Sequence, residues 1–345
     1  MRIMELYGGG TGGGAARYLG DLLPALAGLG HEVHYVSLGR DDLQPRGAER
    51  HRTQGFSQLL RLARRLRPDV LHTHGVRANF RGRLCGRFLG VPVATTVHSF
   101  LAQDYRSPAR AALALQVDGA TLHWSDRLIA ISGALREDLI DRGAFADSVR
   151  VVPNGADPPP PDPEGLRGLL PPEDGPLLCV AARLHPTKGI DVALSALTHL
   201  PTARLAILGE GTERGALEHL ARRLGVAERA YFVGYRKDFA AIVAGADLFL
   251  VPSRAEGFGL AALEAMGQGV PVAASRVGGL PEVVGDAGAF ASPGDPAALA
   301  AAVQEALQNH AALAQRARDR AALFTVSRMA EATVWVLREA TEVRR

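Results

Sequence analysis

Short apolar runs alternate with helical stretches along residues 1–150 of the chain. The strand-like runs read IMELY, HEVHYVSLG, DVLHTHG and VPVATTVHS, and stretches such as AARYLGDLLPALAGLG and FSQLLRLARRL lie between them. Gly30 closes the first helical stretch as a C-cap would, and Val33 to Leu38 has the β-branched and aromatic content of a strand. This alternation predicts a parallel sheet with helices on both faces, and hence an α/β fold.

A break in composition interrupts the alternation. Between Pro153 and Pro176, repeated prolines forbid a continuous helix or a central strand, which predicts an interdomain linker over residues 156–176. The runs LLCVAAR, RLAILG, AYFVG, LFLVPS and PVAAS then alternate with further helical stretches and predict a second parallel sheet. We therefore expect one domain over residues 1–155 and a second over residues 177–325.

The final stretch, from about residue 326 to residue 345, has the apolar spacing of a helix. It predicts an amphipathic closing helix whose apolar positions are Met329, Ala332, Val336 and Leu337.

Length and composition agree with two globular domains. A chain of 345 residues exceeds a comfortable single core. No apolar run approaches the roughly 20 residues that span a bilayer, and the first residues lack a signal-peptide pattern, so we expect a cytoplasmic protein. Cys85 and Cys179 lie in apolar surroundings without a CxxC or His-rich neighbourhood. We therefore expect two buried thiols and neither a disulfide nor a zinc site at these cysteines.

The net charge of +3 is unevenly distributed. Residues 1–150 carry 20 Lys and Arg against 14 Asp and Glu, whereas residues 151–345 carry 19 against 22. In the region 61–87 eight arginines are opposed only by Asp69. They favour peripheral contact with an anionic membrane, at its inner face, or with a phosphorylated acceptor; the alternative is a solvated helix face. These arginines are Arg61, Arg64, Arg65, Arg67, Arg77, Arg81, Arg83 and Arg87.

The first candidate loop, residues 8–19, follows the first strand and reads GGGTGGGAARYL. Its glycines let a ligand approach the backbone, and the N–H groups that open the next helix favour an anion. The loop also fits the dinucleotide fingerprint GxGxxG, with Asp41 or Asp42 beyond the second strand where a ribose carboxylate would lie. The fingerprint positions are Gly8, Gly10 and Gly13; the alternative is a loop that serves only as a flexible connection.

A second candidate loop, AARLHPTKG, follows the first strand of the second half. Arg183 offers a fork suited to a diphosphate, and Lys188 offers a compact charge five residues later. Lys188 and Lys237 are the only lysines in the chain, so an ammonium group here indicates a point-charge role. The loop lacks the GxxxxGK[ST] pattern of a P-loop nucleotidase. It predicts a polyanion site; the alternative is two surface cations in a turn.

The third candidate, VPSRAEGFGLAALEAMGQGVPVAAS, places carboxylates on both sides of a glycine-rich helix start. Gly257 and Gly259 leave backbone N–H groups at an anion-binding position, while Glu256 precedes them and Glu264 follows inside the helix. Two acids beside a phosphate cradle suit a ligand with hydroxyl groups on either side of its phosphates, because a carboxylate accepts from vicinal hydroxyls. The alternative is an N-terminal cap and a solvated helix residue.

Residues 256–264, EGFGLAALE, show the EX7E pattern of the retaining family 4 glycosyltransferases. The similarity extends through VVPNGAD, AARLHPTKG, LGEGTER, FVGYRKD, AGADLFLVPS, PVAASRVGGLPEVV and SPGDPAALAAAV. It covers nearly all of the chain from Ser132 onward. Before that point the glycine-rich first loop, DVLHTHG and TVHS are more loosely similar to the acceptor-domain motifs. The chain therefore resembles this family.

The resemblance implies the GT-B architecture, with two doubly wound Rossmann-like domains that face a cleft and a C-terminal helix that crosses back to the first domain. It also implies transfer of a sugar from a nucleotide-diphosphate donor with retention at the anomeric carbon. The mechanism favoured for the family is front-face substitution, in which the leaving phosphate helps to deprotonate the acceptor. No DxD motif occurs, and we expect neither a metal nor a cofactor besides the donor substrate.

The resemblance also implies roles for individual residues. Arg183 and Lys188 would neutralise the donor diphosphate and the charge that grows as it leaves. Glu264 would hold the ribose hydroxyls, Glu256 the transferred sugar, and His98 would face the donor sugar or the acceptor. The implied catalytic set is Arg183, Lys188, Glu256 and His98. The implied donor-binding set is Gly12, Gly13, Gly209, Val233, Gly234, Tyr235, Gly257, Phe258, Gly259, Leu260 and Glu264.

Within these sets, Gly12 and Gly13 would approach the distal phosphate, and residues 233–235 would line the base pocket. For His72, His74 and His123 a structural role is the better interpretation, since a histidine at a strand end often satisfies its own loop.

Three alternatives stay open. A nucleotide-sugar epimerase or a disaccharide phosphorylase can use the same fold. A nicotinamide-dependent oxidoreductase would use the GxGxxG match. A non-catalytic protein would bind a membrane surface through the basic front half. The sequence leaves open the donor's base and sugar and the acceptor, and we expect no nucleic-acid partner.

Overall fold

The computed structural model describes residues 1–9, 13–39, 41, 43–103, 105 and 107–343. The chain forms two compact units. Unit 1 consists of Met1–Gly155 with Val326–Arg345, and unit 2 consists of Ala156–Thr325. Within the described ranges, no helix combines the length and the apolar character needed to cross a membrane.

Unit 1 is built on a parallel sheet of seven strands in the order β3-β2-β1-β4-β5-β6-β7. The strands are β1 Arg2–Tyr7, β2 Glu32–Ser37, β3 Glu49–Arg52, β4 Val70–His74, β5 Val93–Val97, β6 Arg127–Ala130 and β7 Val149–Val151. The helices within residues 1–155 are α1 Gly14–Gly28, α2 Phe56–Leu66, α3 Val76–Leu89, α4 Pro108–Leu122 and α5 Gly133–Asp141.

Unit 2 has a six-stranded parallel sheet in the order β10-β9-β8-β11-β12-β13. Its strands are β8 Leu177–Ala181, β9 Arg204–Leu208, β10 Ala230–Gly234, β11 Leu248–Val251, β12 Val272–Ser275 and β13 Gly288–Ala291. Its helices are α6 Pro163–Arg167, α7 Ile190–Ala196, α8 Arg214–Arg223, α9 Phe239–Ile242, α10 Leu260–Gly267, α11 Leu280–Val284, α12 Pro296–Gln308 and α13 His310–Ala321.

The last helix, α14 Val326–Val343, belongs to unit 1. Its apolar face, which includes Met329 and Leu337, is buried in one core with α1 and the sheet. On its opposite side Glu339 accepts hydrogen bonds from Arg127 and Arg150. The amphipathic closing helix that the sequence predicts is therefore confirmed, as is the arrangement of two doubly wound sheets.

Two details differ from the expectation. The stretch between β2 and α2, where the sequence has no strand-like apolar run, contains β3, which pairs with β2 from His34↔Glu49 to Ser37↔Arg52. The β3 sequence ERHR has no apolar residue, so no hydrophobic alternation marks it; as an edge strand it needs none. Part of the proline-rich segment assigned to the linker forms α6, because Pro163 occupies the first helical turn, where its missing N–H costs no hydrogen bond.

The strand order reverses once in each sheet, between β1 and β4 in unit 1 and between β8 and β11 in unit 2. In doubly wound sheets ligands bind outside the carboxyl ends of the strands at such a switch point. The two thiols, Cys85 and Cys179, are buried and free, as expected.

Candidate functional site

In unit 2, the loops that follow β8 and β11 meet at the switch point. The carbonyl oxygen of Thr187 accepts hydrogen bonds from the backbone N–H groups of Arg254 (2.8 Å) and Ala255 (3.4 Å). Gly189 has a φ of +65°, and a Cβ atom there would lie 1.9 Å from the carbonyl oxygen of Pro252. Only glycine allows so close an approach, so this residue joins the second and third candidate motifs into one site.

Lys188 and Glu256 face each other across this junction. The Lys188 Nζ atom lies 2.7 Å from Glu256 Oε2, and the two side chains are 24% and 17% exposed. Ser253 Oγ donates to the same oxygen at 3.2 Å. The ammonium keeps further N–H donors beyond this pair, and the carboxylate keeps a second oxygen. The pair therefore has donors and an acceptor left for a ligand that carries both an anionic group and hydroxyl groups.

A second ion pair braces the same junction. The Arg254 guanidinium contacts both carboxylate oxygens of Asp191, at 2.8 and 2.6 Å, and also donates to the carbonyl oxygen of Pro186 at 2.9 Å. Burial raises the pKa of Asp191, but the hydrogen bond and charge of Arg254 outweigh it and lower that pKa below its usual value. Sequence reasoning missed this pair, because no local pattern links residues 63 positions apart.

Arg183 lies in the same loop, immediately after β8, and is exposed. Among the described residues its guanidinium has no hydrogen-bond or ion-pair partner. The neighbouring backbone is held, since the Leu184 N–H donates to the Glu210 carbonyl at 2.9 Å. The loop therefore carries one cation already paired with Glu256 and one whose five N–H donors are open to an anion.

The amino terminus of α10 adds backbone donors to the loop after β11. Gly259 caps the helix with a φ of +103°, and a Cβ atom there would lie 2.6 Å from Leu280 Cδ2. The first N–H groups of a helix have no intrahelical partner and carry partial positive charge, starting here at Leu260. Phe258 is buried against Phe324 with ring centroids 5.9 Å apart, which fixes the turn, and Glu264 is buried one turn inside the helix.

The predicted base-pocket residues lie on the other side of β8 in the same sheet. Gly209, after β9, donates its N–H to the carbonyl of Gly234, at the end of β10, at 2.8 Å. A Cβ atom at Gly209 would lie 1.9 Å from the Ala182 carbonyl, so this loop also packs directly on the loop after β8. Val233 is partly buried and Tyr235 is exposed. The described residues of unit 2 that the sequence assigns to the donor site thus lie at the carboxyl edge of its sheet or at the start of α10.

Unit 1 holds a buried histidine cluster at the corresponding edge of its own sheet. Glu5, at the centre of β1, accepts from His72 Nδ1 at 3.0 Å and from His74 Nε2 at 2.8 Å. His74 Nδ1 lies 3.0 Å from His98 Nε2, and the Tyr18 ring packs edge-on against His98 at 4.8 Å. Sequence reasoning missed Glu5, because an acid in the apolar run IMELY gives no sign of its partners 67 and 69 positions later in the chain.

The ionised Glu5 carboxylate determines which ring nitrogens carry protons. Burial raises the pKa of Glu5, but the charges and hydrogen bonds of His72 and His74 outweigh it and lower the pKa to about 2. Because a carboxylate only accepts, His74 carries its proton on Nε2 and leaves Nδ1 as an acceptor. His98 must then donate from Nε2, so its own Nδ1 holds a lone pair.

His74 and His98 stay neutral. Burial, together with the charge of His72, lowers the pKa of His74 to about 4 against the opposing effect of Glu5. Burial and the charges of His74 and His72 lower the pKa of His98 well below its usual value. The buried Nδ1 of His98 has no hydrogen-bond partner among the described residues, which is typical of an acceptor kept for a ligand or water.

The other predicted residues of unit 1 have simpler surroundings. Gly13 precedes α1 with a φ of +91°, a conformation that favours glycine, and Gly12, Gly10 and Asp42 lie outside the described residues. His72 and His74 hold the buried cluster together rather than satisfying their own loops. His123 is exposed beside Trp124.

Both units are similar to known protein families. Residues 164–323 match the family described as glycosyl transferases group 1, and residues 12–159 match glycosyltransferase family 4. A D-inositol 3-phosphate glycosyltransferase of Xylanimonas cellulosilytica is 34% identical over 328 residues, which cover 86% of this chain and 75% of that protein. A glycogen synthase of Mycobacterium tuberculosis is 35% identical over 266 residues, which cover 73% of this chain and 63% of the synthase. This chain thus matches less than two thirds of that synthase.

Solved structures share the fold. The Anabaena protein HepE, crystallised with UDP and glucose, superimposes with a TM-score of 0.86 at 22% identity and covers 98% of this chain and 99% of its own. A sucrose-phosphate synthase from Thermosynechococcus elongatus superimposes with a TM-score of 0.83 at 25% identity and covers 98% of each chain. The fold is that of the GT-B class of glycosyltransferases. Within that class, the chain belongs to the family 4 glycosyltransferases, which replaces the oxidoreductase and non-catalytic alternatives.

Replacing His74 by Gln tests the buried histidine cluster. The unfolded histidine takes up a proton near pH 6.5, whereas the folded one resists until about pH 4. The free energy of unfolding is therefore not reduced by His74 above pH 6.5, and it falls as the pH drops from 6.5 toward 4. We expect the native protein to lose on the order of 3 kcal/mol more free energy of unfolding between pH 7 and pH 4 than His74→Gln, whose amide does not titrate.

The measurement is urea unfolding followed by tryptophan fluorescence, which reports unit 1 because both tryptophans, Trp124 and Trp335, belong to it. An exposed histidine of the same unit provides the control, and His123→Ala should follow the native pH profile. Parallel profiles for the native protein and His74→Gln would contradict a neutral His74.

Proposed function

We propose that the protein transfers a sugar from a nucleoside-diphosphate sugar to a hydroxyl-bearing acceptor with retention at the anomeric carbon. One observation carries the proposal: Lys188 and Glu256 meet at the β8–β11 switch point, in one site with Arg183 and the amino terminus of α10. Cations and backbone N–H groups suit a diphosphate, and carboxylates suit the sugar hydroxyls. Family membership supports the same reaction class.

Each part of the donor then has a partner in unit 2. Arg183 and Lys188 bind the diphosphate together with the backbone N–H groups from Gly257 to Leu260. Glu256 accepts from hydroxyl groups of the transferred sugar, and Glu264 accepts from the ribose. Residues 233–235, with Gly209 behind them, form the wall beside the base. In unit 1 the lone pair on His98 Nδ1 accepts from a substrate hydroxyl group.

Donor binding gives each member of the Lys188–Glu256 pair a new partner. In the free enzyme each group neutralises the other at 2.7 Å. A diphosphate offers the ammonium a stronger anion, and the sugar hydroxyls offer the carboxylate donors of their own. The pair is thus already oriented and partly desolvated before the donor arrives, so little reorganisation is needed when the donor binds.

Retention follows if the acceptor attacks the face that the diphosphate leaves. The bond from the anomeric carbon to the phosphate oxygen breaks, the bond to the acceptor oxygen forms, and the departing phosphate oxygen takes the acceptor proton. Arg183, Lys188 and the α10 amino terminus stabilise the negative charge that accumulates on the leaving group. This assignment gives the two cations the role that a divalent metal has in other transferases, so the reaction proceeds without one.

Uridine diphosphate sugars are the first donors to test, because HepE was crystallised with UDP and glucose. The acceptor class is wider. Relatives carry the names glycogen synthase, D-inositol 3-phosphate glycosyltransferase and 2-deoxystreptamine glucosyltransferase. Acceptor screens should therefore include polysaccharides, phosphorylated polyols, amino-sugar alcohols and lipid-linked precursors.

Lys188→Ala and Arg183→Ala should each lower kcat by about 100- to 1000-fold, because each removes a charge that stabilises the leaving group. The fold should survive, since a partly exposed ion pair contributes only about 0–1 kcal/mol. Lys237→Ala removes the only other lysine and is the matched control, with kcat unchanged. The assay follows release of nucleoside diphosphate with and without an acceptor. Unchanged kcat in Lys188→Ala would contradict the diphosphate assignment, and an isomerised donor would indicate an epimerase instead.

The configuration of the product tests retention independently of any variant. With an α-linked donor such as UDP-glucose, we expect an α-glycoside, because attack and departure share one face of the sugar. The anomeric proton coupling in the NMR spectrum of the fresh product distinguishes the two anomers. A β-glycoside would exclude front-face substitution and require a carboxylate acting as a base.

We also propose that the arginine-rich part of unit 1 contacts anionic lipid headgroups. Arg83, which the sequence placed among these arginines, is excluded because it is fully buried and paired with Asp118. A surface cavity of about 690 Å³ lies at the end of β3, and its lining includes Arg50, Arg52, Arg61 and Arg65. Arg64 and Arg65 are exposed on the last turn of α2. A surface with several cations and few acids concentrates anions by several kT.

Arg64→Glu combined with Arg65→Glu should abolish cosedimentation with phosphatidylglycerol vesicles. Binding of the native protein should fall as the ionic strength rises from about 0.01 M to about 1 M, where the Debye length shrinks from about 30 Å to about 3 Å. The matched control reverses Arg222 and Arg223, an exposed adjacent pair on α8 of unit 2. Equal binding to neutral phosphatidylcholine vesicles, or equal loss in the control, would exclude this surface.

A further inference from the structure

The edge of the unit 1 sheet carries a cluster of histidine and carboxylate side chains that the transfer reaction does not use. In the β2–β3 register His34 pairs with Glu49, and Val36 pairs with His51. Side chains two positions apart on a strand share one face, so His34, Glu49 and His51 lie on the same side of the sheet. The cluster therefore comes from the strand pairing itself and is held by two backbone segments.

Three potential metal ligands converge there. His34 Nδ1 lies 3.2 Å from His51 Nε2 and 3.3 Å from Glu49 Oε2, and His51 Nε2 lies 3.6 Å from Glu49 Oε1. Zinc binds histidine nitrogen and carboxylate oxygen at about 2.0–2.2 Å in tetrahedral geometry, which places ligand atoms about 3.3–3.5 Å apart. The observed separations match the edges of such a tetrahedron, so a cation could enter without a large movement of the side chains.

Glu32 binds the ring nitrogen of His34 that faces away from the cluster. Its Oε1 accepts from His34 Nε2 at 3.0 Å, and its Oε2 lies 2.9 Å from Arg2 Nε. A carboxylate on the remote ring nitrogen fixes the tautomer and directs the other lone pair at the metal, an arrangement common around zinc-bound histidines. In the free protein His34 Nδ1 accepts a hydrogen bond from the N–H group at His51 Nε2. When a metal binds, the His51 proton moves to its Nδ1 atom. The lone pairs of His34 Nδ1 and His51 Nε2 then both face the ion.

The cluster opens to solvent on the side of Glu49, although His51 also lines the arginine-rich cavity beside β3. The side chains of His34 and His51 are 5% and 10% exposed, whereas that of Glu49 is 66% exposed and leaves an open side. Arg50 and Arg52 alternate to the other face of β3.

A second cluster, Glu5 with His72 and His74, also offers three ligand atoms. All three side chains have 0% exposure, and their ligand atoms already form the hydrogen bonds that join β1 to β4. A cation there would have to break those bonds in a closed core. The edge cluster is the more accessible of the two.

We propose that His34, Glu49 and His51 form a binding site for one divalent transition-metal ion, with Zn²⁺ preferred and water in the fourth position. Two imidazoles and one carboxylate form a ligand set that zinc sites use. The site shares no residue with the donor site. Bound metal joins β3 to β2 through side chains, and it thereby stabilises an edge strand that lacks apolar residues.

Calorimetric titration of the full chain with Zn²⁺ tests the proposal, using protein without a histidine tag after treatment with a chelator. We expect one Zn²⁺ per chain. Affinity should fall more than about 100-fold in Glu49→Gln and His51→Ala, which remove a ligand, and about 10- to 100-fold in Glu32→Gln, which removes the support for His34. His123→Ala, an exposed histidine in the same unit, is the matched control and should bind as the native protein does. With Co²⁺ in place of Zn²⁺, the native protein should show the strong visible absorption of a tetrahedral site.

Stability gives a readout that separates metal binding from misfolding. Circular dichroism should show that both Glu49→Gln and His51→Ala are folded, because both side chains lie on an edge strand. Zn²⁺ should raise the midpoint of urea unfolding, followed by tryptophan fluorescence, in the native protein and in His123→Ala but not in these two variants. Binding that persists at full affinity in His51→Ala, or a native protein that takes up no Zn²⁺, would overturn the proposal. The first result would also assign the metal to another cluster.

Discussion

The donor site of unit 2 depends on one close contact, between the loop after β8 and the loop after β11. Gly189 lies so near the Pro252 carbonyl that no larger residue fits, and the Thr187 carbonyl accepts two backbone N–H groups of the opposite loop. Parallel strands bring their carboxyl ends together, but they leave the loops beyond them free to diverge. The backbone contact alone holds the two loops together, without any contribution from side chains. Lys188 and Glu256 can therefore meet although 68 positions separate them.

The two ion pairs at this junction do different work. Arg254 and Asp191 bond at two points on the exposed side, which restrains the loops in the way a planar guanidinium allows. Lys188 is a point charge with rotatable donors, which suits the exchange of Glu256 for a phosphate that we propose. The Arg254–Asp191 pair thus holds the loops in place. The Lys188–Glu256 pair beside it leaves its charges available to a ligand.

Sequence patterns predicted the elements of the site but not how they pair. The β–α alternation, the closing helix and the motifs around Lys188 and Glu256 are local, and local periodicity reports them well. Glu5, Asp191 and Arg254 acquire their partners only through strand order or loop packing, and a single sequence does not contain that information. β3 was missed for a different reason. Its four residues are all charged or histidine, so it is recognisable as a strand only from its pairing with β2.

The buried carboxylate of Glu5 determines what chemistry the histidines of unit 1 can offer. Because Glu5 can only accept, it sets the proton on His74, and His74 in turn sets the proton on His98, so His98 offers a lone pair rather than a proton. Burial keeps both imidazoles neutral, and neither can supply the positive charge that a departing diphosphate needs. In the reaction that we propose, that charge comes from Arg183, Lys188 and the amino terminus of α10 in unit 2. Under this proposal, protonation of the histidine cluster and loss of the loop cations impair the enzyme in different ways. The first removes an acceptor for a substrate hydroxyl group, and the second removes the charge that stabilises the departing diphosphate.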